Sequence, residues 1–400
     1  YVLDEPSQGL HPKEVFSLVQ SLRALIAKGN TIVVVDHNRF LAQSADWLLE
    51  LGPGGGSQGG KLLYEGPPKK DPEQRMLSLL PEADTNQEKF WLLDCYANNL
   101  KIDRVAFRYQ SLNIVVGVSG AGKSTLVLDC LLSKAQQGLG EFDSILVIDR
   151  ASLARSKTSM LATFLGVFSS IRDLFASLPQ AKLLGLTAQA FSLRLVAGRC
   201  QACNGQGSFL IRMKFLSDAE VTCSSCLGKR YKGEVLGVRY KELNIAEVLG
   251  LSISDALQFF AAHRQICRLL QEAQDLGLGY LTLGQSLFSL SGGEAQRLKL
   301  LPFMREAAFK KALVILDEPC RGLHAQDVER LLIAINRLTS RGYTFVVIEH
   351  HLTFIQAGQW FIELGPGAGK EGGQLLVAGD YQAFLSSSAS VTASFIAKIP

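Results

Sequence analysis

The sequence predicts an α/β protein built on a mixed, mainly parallel sheet flanked by helices, with one such unit whole and part of a second before it. Three observations carry this expectation. Apolar, β-branched runs such as "ALVILDEP" and "TFVVIEHH" end in acidic or acid-histidine residues and then give way to helical patterning. That is how buried parallel strands read. A glycine-rich turn, "GVSGAGKST", stands between an apolar run and an apolar helix. Three separate stretches also recur at a constant offset of 313 residues, with no insertion or deletion between them.

The repeat comes first along the chain. "LDEPSQGLHPKEV" at 3–15 returns as "LDEPCRGLHAQDV" at 316–328, and "TIVVVDHN" at 31–38 as "TFVVIEHH" at 344–351. "ELGPGGGSQGGKLLYEG" at 50–66 returns as "ELGPGAGKEGGQLLVAG" at 363–379. The first copy, residues 1–66, carries Asp4 and Glu5 after one strand and His37 after the next. Only Tyr1, Val2 and Leu3 precede Asp4, fewer than the ~5–6 residues of an ordinary strand. We therefore expect a fragment cut from a longer protein, with the rest of the first unit upstream. Residues 67–95, with Pro67, Pro68, Pro72, Pro81 and mixed charge, read as a linker.

Residues 96–148 open the second copy. Gly117, Ser119, Gly120 and Gly122 would let successive backbone N–H groups face phosphate oxygens, with Lys123 reaching the β- and γ-phosphates of ATP. Ser124 would hold Mg²⁺, and Thr125 follows in the same helical turn. The alternative is an ordinary glycine-rich strand–helix turn. Residues 286–400 supply the complement. Asp317 would hold Mg²⁺ and Glu318 would polarise the attacking water as general base; the bland alternative is an acidic pair capping a turn. His350 ends the next strand, within reach of the γ-phosphate. Asp4, Glu5 and His37 are the first-copy counterparts. In "LSGGEAQRLKLL", Ser291, Gly292, Gly293 and Glu294 open an amphipathic helix whose first N–H groups suit an anion.

Between these halves, residues 149–285 read as an insertion. Cys200-x2-Cys203 and Cys223-x2-Cys226 have the spacing of a closed, tetrahedral Zn²⁺ site; four reduced core thiols are the alternative. Cys95, Cys130, Cys267 and Cys320 read as ordinary buried thiols. Net charge is +4, yet residues 194–241 hold nine Lys/Arg against three Asp/Glu, so the positive charge gathers around the cysteines. Arg212, Lys214, Lys229, Arg230 and Lys232 are the expected contacts to a nucleic-acid backbone, against the reading of a solvated basic face. Phe215 and Tyr231 either stack on bases or pack in the core.

The phosphate loop, "LSGG", "LDEP" and the strand-end histidine together resemble an ABC-type P-loop ATPase. More specifically, "GVSGAGKSTL", "NNLK", "GRCQACNGQG", "CLGKRY", "LGLGYLTLGQ", "LSGGEAQRLKL", "LDEPCRGLH" and "ELGPGAGKEGG" make the chain similar to the C-terminal part of the UvrA family of repair ATPases. That resemblance implies tandem ABC modules with a zinc-bearing signature insertion, composite ATP sites in which the signature faces another module's nucleotide, and a homodimer. It also implies recognition of damaged or distorted DNA with little sequence preference, and loading of a UvrB-like partner without cutting the DNA.

One departure stands out. Arg150 occupies the position of the family's glutamine and cannot accept a hydrogen bond from water or ligate Mg²⁺. It leaves open a divergent paralogue with a self-protection or DNA-remodelling role. A transporter ATPase is disfavoured by the cysteine-bearing insertion, and a DnaJ-like scaffold would need four CxxC units rather than two. The longest apolar runs fall below the ~18 residues of a membrane span. Paired CxxC units without a secretory leader point to a reducing, cytoplasmic setting.

Overall fold

Six strands form the central sheet, in the order Gln374–Gly379, Trp360–Gly365, Leu112–Val116, Tyr343–Ile348, Ala312–Asp317 and Ser144–Ile148. Gln374–Gly379 runs antiparallel to its neighbour; the other pairings are parallel. The structure, a computed structural model, describes residues 1–36, 38–52, 60–68, 88–148, 159–211, 219–305, 311–320, 323 and 325–396. The chain divides into two compact units, one of residues 1–150 and 299–400, the other of residues 151–298. Among the described residues no helix is long and apolar enough to cross a membrane.

The central strands read as unbroken apolar runs because both faces are covered. Every residue of Leu112–Val116 and Tyr343–Ile348 is buried. Val115, Leu313, Ile315, Val346 and Ile362 share one cluster with Leu126 and Leu131 of the helix after the glycine loop. Burying each such aliphatic side chain stabilises by about 1.5–3 kcal/mol. The same cluster takes in Phe90, Leu92, Val105 and Phe107 of an antiparallel hairpin, Lys89–Cys95 with Ile102–Arg108. The strand Lys89–Cys95 falls inside the stretch expected to be linker. Its alternation, with Phe90 and Leu92 inward and Lys89, Trp91 and Leu93 outward, is that of a half-buried strand. The prolines and charges that suggested a linker lie N-terminal to it.

The repeat is structural as well as sequential. Val2–Asp4 pairs in parallel with Val33–Val35, and the pair Val2↔Val33 matches Ile315↔Val346 at the same 313-residue offset. The hairpin Leu48–Gly52/Lys61–Gly66 even carries its irregularity, between Glu50 and Leu51, where the second copy has one between Glu363 and Leu364. Helix Pro12–Ile26 answers to Ala325–Thr339. The former starts at a capping box in which the His11 side chain accepts from the helix backbone and Glu14 from His11 N–H, with Pro12 at the first turn.

The second unit holds the helices Val167–Ser177 and Arg264–Asp275 and, between the two cysteine pairs, the hairpin Ser208–Ile211/Ala219–Thr222. Its core includes Phe175, Phe191, Phe260 and Tyr231. The Tyr231 hydroxyl donates to the Phe191 carbonyl at 3.0 Å, so Tyr231 packs in the core rather than presenting a face to bases.

Candidate functional site

Three parallel neighbours end at one edge of the central sheet, and their carboxyl ends deliver the expected site residues. Leu112–Val116 leads into the glycine loop, Ala312–Asp317 ends on the acid pair, and Tyr343–Ile348 leads to His350. Open α/β sheets bind ligands at such an edge.

The loop is shaped for close approach by a ligand. Gly117 sits at φ 138°, and a Cβ there would stand 2.2 Å from the Leu364 carbonyl oxygen, so only glycine is tolerated. Its outer wall is pinned by groups whose role the sequence did not announce. Asn99 donates to the carbonyls of Gly120 (3.2 Å) and Gly369 (3.1 Å), and Asn98 to Thr125 Oγ1 (3.3 Å). The Lys123 ammonium turns back on the loop, donating to the carbonyls of Gly117 (2.8 Å) and Val118 (2.9 Å). Burial lowers its pKa to about 8, while Glu14, Glu318 and Asp317 pull it back up. A buried cation held, among the described residues, by neutral carbonyls with carboxylates nearby is poised to accept an anionic ligand. The glycine cradle, this ammonium and the exposed Ser124 hydroxyl suit a nucleotide's phosphates with their Mg²⁺.

Glu318 lies in the left-handed region at φ 46°, and Glu5, its first-copy counterpart, at φ 44°. Such a conformation costs roughly 1–3 kcal/mol in a non-glycine residue and concentrates at functional sites. It is held in each copy by the same bond: Glu318 N–H donates to Ile348 O at 2.8 Å, and Glu5 N–H to Val35 O at 2.7 Å. The two acid turns face one another across a cavity of about 100 Å³.

His350 is buried beside that cavity, its Nδ1 without a hydrogen-bond partner among the described residues. Burial first, then Lys123 and His11, hold its pKa well below the ordinary value, so it is neutral.

First-copy groups reach the same loop. The Ser119 hydroxyl donates to Glu14 Oε2 at 2.9 Å, and His11, fully buried, lies edge-on to His350 with ring centroids 5.9 Å apart. Neither Glu14 nor His11 was among the expected site residues. Asp4 ends its strand as expected, whereas His37 lies outside the described residues, as do Arg150, Arg212, Lys214 and Phe215.

In the second unit Ser291 and Glu294 form a capping box: Glu294 accepts from Ser291 N–H at 2.7 Å, and Ser291 Oγ accepts from Glu294 N–H at 3.3 Å. Two N–H groups expected to await an anion are therefore occupied by Glu294 and Ser291 themselves, since a glutamate three residues past a serine satisfies them reciprocally. Gly292 and Gly293 follow Ser291 at the helix start.

Cys200, Cys203, Cys223 and Cys226 are buried together, with all four sulfurs within 4.8 Å of one another. Cys203 Sγ and Cys226 Sγ are 3.7 Å apart. A tetrahedron with Zn–S of ~2.3 Å has an edge of ~3.8 Å, so the cage suits zinc. Both knuckles turn alike, Gln206 N–H donating to Cys203 O (3.0 Å) and Lys229 N–H to Cys226 O (2.9 Å). Gly207 N–H donates to Cys203 Sγ at 3.2 Å. Of the basic residues nearby, Lys229 is exposed. Arg230 and Lys232 are half-buried and donate to the carbonyls of Gly284 (3.2 Å) and Ala197 (3.1 Å).

Comparison with known proteins agrees with this geometry. The ABC transporter family matches residues 100–321. UvrABC system protein A of Streptococcus pyogenes is 40% identical over 95% of this chain and 43% of its own length. The Staphylococcus aureus protein of the same name is 38% identical over 100% and 45%. The chain thus spans less than half the length of these curated relatives. The crystal structure of UvrA2 from Deinococcus radiodurans superposes with a TM-score of 0.89 at 36% identity, covering 100% of this chain and 52% of that one. An RNase-L inhibitor, 15% identical with a TM-score of 0.52, shares the fold alone.

Proposed function

The chain belongs to the ABC ATPase family, and from that premise we propose that it is the ATP-hydrolysing portion of a UvrA-type protein that recognises damaged or distorted DNA in nucleotide excision repair and loads a UvrB-like partner onto it. The observation that supports this most is the meeting of phosphate loop, acid pair and strand-end histidine at one sheet edge, with Lys123 inside the field of Glu318 and Asp317.

In this reading Lys123 leaves the carbonyls of Gly117 and Val118 for phosphate oxygens, and the N–H groups of the glycine loop complete the cradle. Ser124 and Asp317 would hold Mg²⁺, whose charge would offset that on the transferring phosphoryl group. Glu318 accepts the proton of the attacking water. His350, neutral, contacts the γ-phosphate through a hydrogen bond rather than through charge. Ser291, Gly292, Gly293 and Glu294 serve a nucleotide held by another module, which requires a second module or a homodimer. Asp4, Glu5 and His37 play the corresponding parts in the first copy. Zinc held by the four cysteines fixes the hairpin base, and Arg212, Lys214, Lys229, Arg230 and Lys232 supply the basic face for DNA. The protein acts in the cytoplasm. A divergent paralogue with a self-protection or DNA-remodelling role is a second reading, favoured by Arg150 where the family carries glutamine.

Binding of labelled duplexes, one intact and one carrying a single distortion, tests this at several salt concentrations. Tighter binding to the distorted duplex is expected, with log K falling linearly against log salt. Lys229→Ala should reduce that slope by about one. Equal affinity for both duplexes would contradict damage recognition, and a salt-independent affinity would contradict the phosphate contacts.

A further inference from the structure

The acid that precedes the strand-end histidine does something the motif reading left unassigned. Glu349 is 4% exposed, and its carboxylate is directed at backbone rather than at solvent. Its Oε2 accepts from Cys320 N–H at 2.9 Å, while Oε1 accepts from His350 N–H (2.8 Å) and His351 N–H (3.0 Å). One side chain thereby ties the turn that follows Glu318 to the strand end that carries His350.

The first copy has the same tie in different residues. Asp36 Oδ2 accepts from Ser7 N–H at 2.9 Å, and Oδ1 accepts from the Ser7 hydroxyl (2.7 Å) and Asn38 N–H (2.9 Å). Ser7 and Cys320 are equivalent at the 313-residue offset, as are Asp36 and Glu349. The shorter aspartate is met by a serine hydroxyl; the longer glutamate reaches the Cys320 N–H and also has the Cys320 thiol as a side-chain partner. Two different side-chain pairs thus reach one geometry. A carboxylate taking three N–H donors is a strong, directional clamp. Without it those donors would be buried and orphaned.

We propose that Glu349 is a positioning residue for ATP hydrolysis: by bonding Cys320, His350 and His351 at once it makes the general base Glu318 and the phosphate-contacting His350 move as a single body, and Asp36 does the same in the first copy. This rests on the ATPase reading above. Tying the two groups together removes independent motions that would otherwise degrade the reacting geometry, an effect that acts on kcat rather than on nucleotide binding.

The test compares wild type, Glu349→Gln, and Glu349→Asp combined with Cys320→Ser, by ATP turnover and by hydrogen exchange at the amides of residues 320, 350 and 351. Glutamine keeps one acceptor for His350 and His351 but turns an NH₂ toward Cys320 N–H. We expect kcat to fall roughly tenfold with KM for ATP nearly unchanged, and the Cys320 amide to lose protection. The double variant rebuilds the first copy's Asp–Ser pair and should recover both. Wild-type turnover matched by Glu349→Gln would overturn the inference and leave the ATPase reading standing. Absence of turnover in the wild type would instead contradict that reading. The Cys320 amide then decides the clamp alone, since unchanged protection in Glu349→Gln would overturn it.

Discussion

Lys123 is a buried cation whose pKa of about 8 is set by burial, against the pull of Glu14, Glu318 and Asp317. Below about 8 it is charged in both folded and unfolded chains, and the cost of burying that charge is fully present. Between about 8 and its ordinary 10.5 the unfolded chain binds a proton that the folded chain has released, so stability rises with pH across that window. A bound phosphate reverses the preference and restores the charge. Nucleotide binding near pH 9 should therefore take up protons, and affinity should weaken as pH climbs past 8. Calorimetry in buffers of different ionisation enthalpy measures this, and zero proton uptake would contradict the assigned role. The left-handed backbone of Glu318, at φ 46°, is strained. Glu318→Gly should raise unfolding free energy by about 1 kcal/mol in a denaturant titration while removing turnover; a loss of stability would show the strain is not there. Lys123 and Glu318 could be singled out in the sequence as candidates because the residues that mark them are contiguous along the chain. Glu14 could not, because it lies 105 residues from the Ser119 hydroxyl it accepts from, and only the fold brings them together.

Elements were legible where one physical cause dominated. Strands buried on both faces read as apolar runs, and the CxxC pairs announced a cage whose 3.7 Å sulfur separation now suits tetrahedral metal. The strand Lys89–Cys95 was missed because its alternating pattern directly follows a stretch of prolines and charges. The capping box at Ser291 was hidden for a different reason. Glycines drew the eye to an anion site, while Glu294 three residues on takes the Ser291 N–H and gives its own N–H to Ser291 Oγ. The cysteine knuckles carry their own prediction. Purified chain should hold about one Zn²⁺, and Cys203→Ser with Cys226→Ser should abolish it and loosen the hairpin Ser208–Ile211/Ala219–Thr222. Metal analysis and hydrogen exchange read both, and zinc retained by the double variant would exclude the site.

Within the first unit, residues of the first copy are hydrogen-bonded to residues near the other end of the chain. His11 Nε2–H donates to Thr392 Oγ1 at 2.8 Å, and that hydroxyl donates onward to Glu363 Oε1 at 2.7 Å. Lys13 N–H donates to His11 Nδ1 at 3.2 Å, which requires the neutral ring. Burial, then Lys123 and Lys13, lower the His11 pKa to about 3 from an ordinary 6.5. Between those values the unfolded chain takes up a proton that the folded chain refuses, so stability should fall as pH drops through the window. His11→Gln should flatten that dependence in thermal unfolding; an unaltered profile would place the acid sensitivity elsewhere.

In the proposed function the second copy hydrolyses ATP with Glu318 as base. The direct measurement is ATP binding and steady-state turnover by the wild type and by Glu318→Gln. We predict turnover at least ~100-fold lower in the variant, with ATP affinity preserved, whereas undiminished turnover in Glu318→Gln would contradict the account.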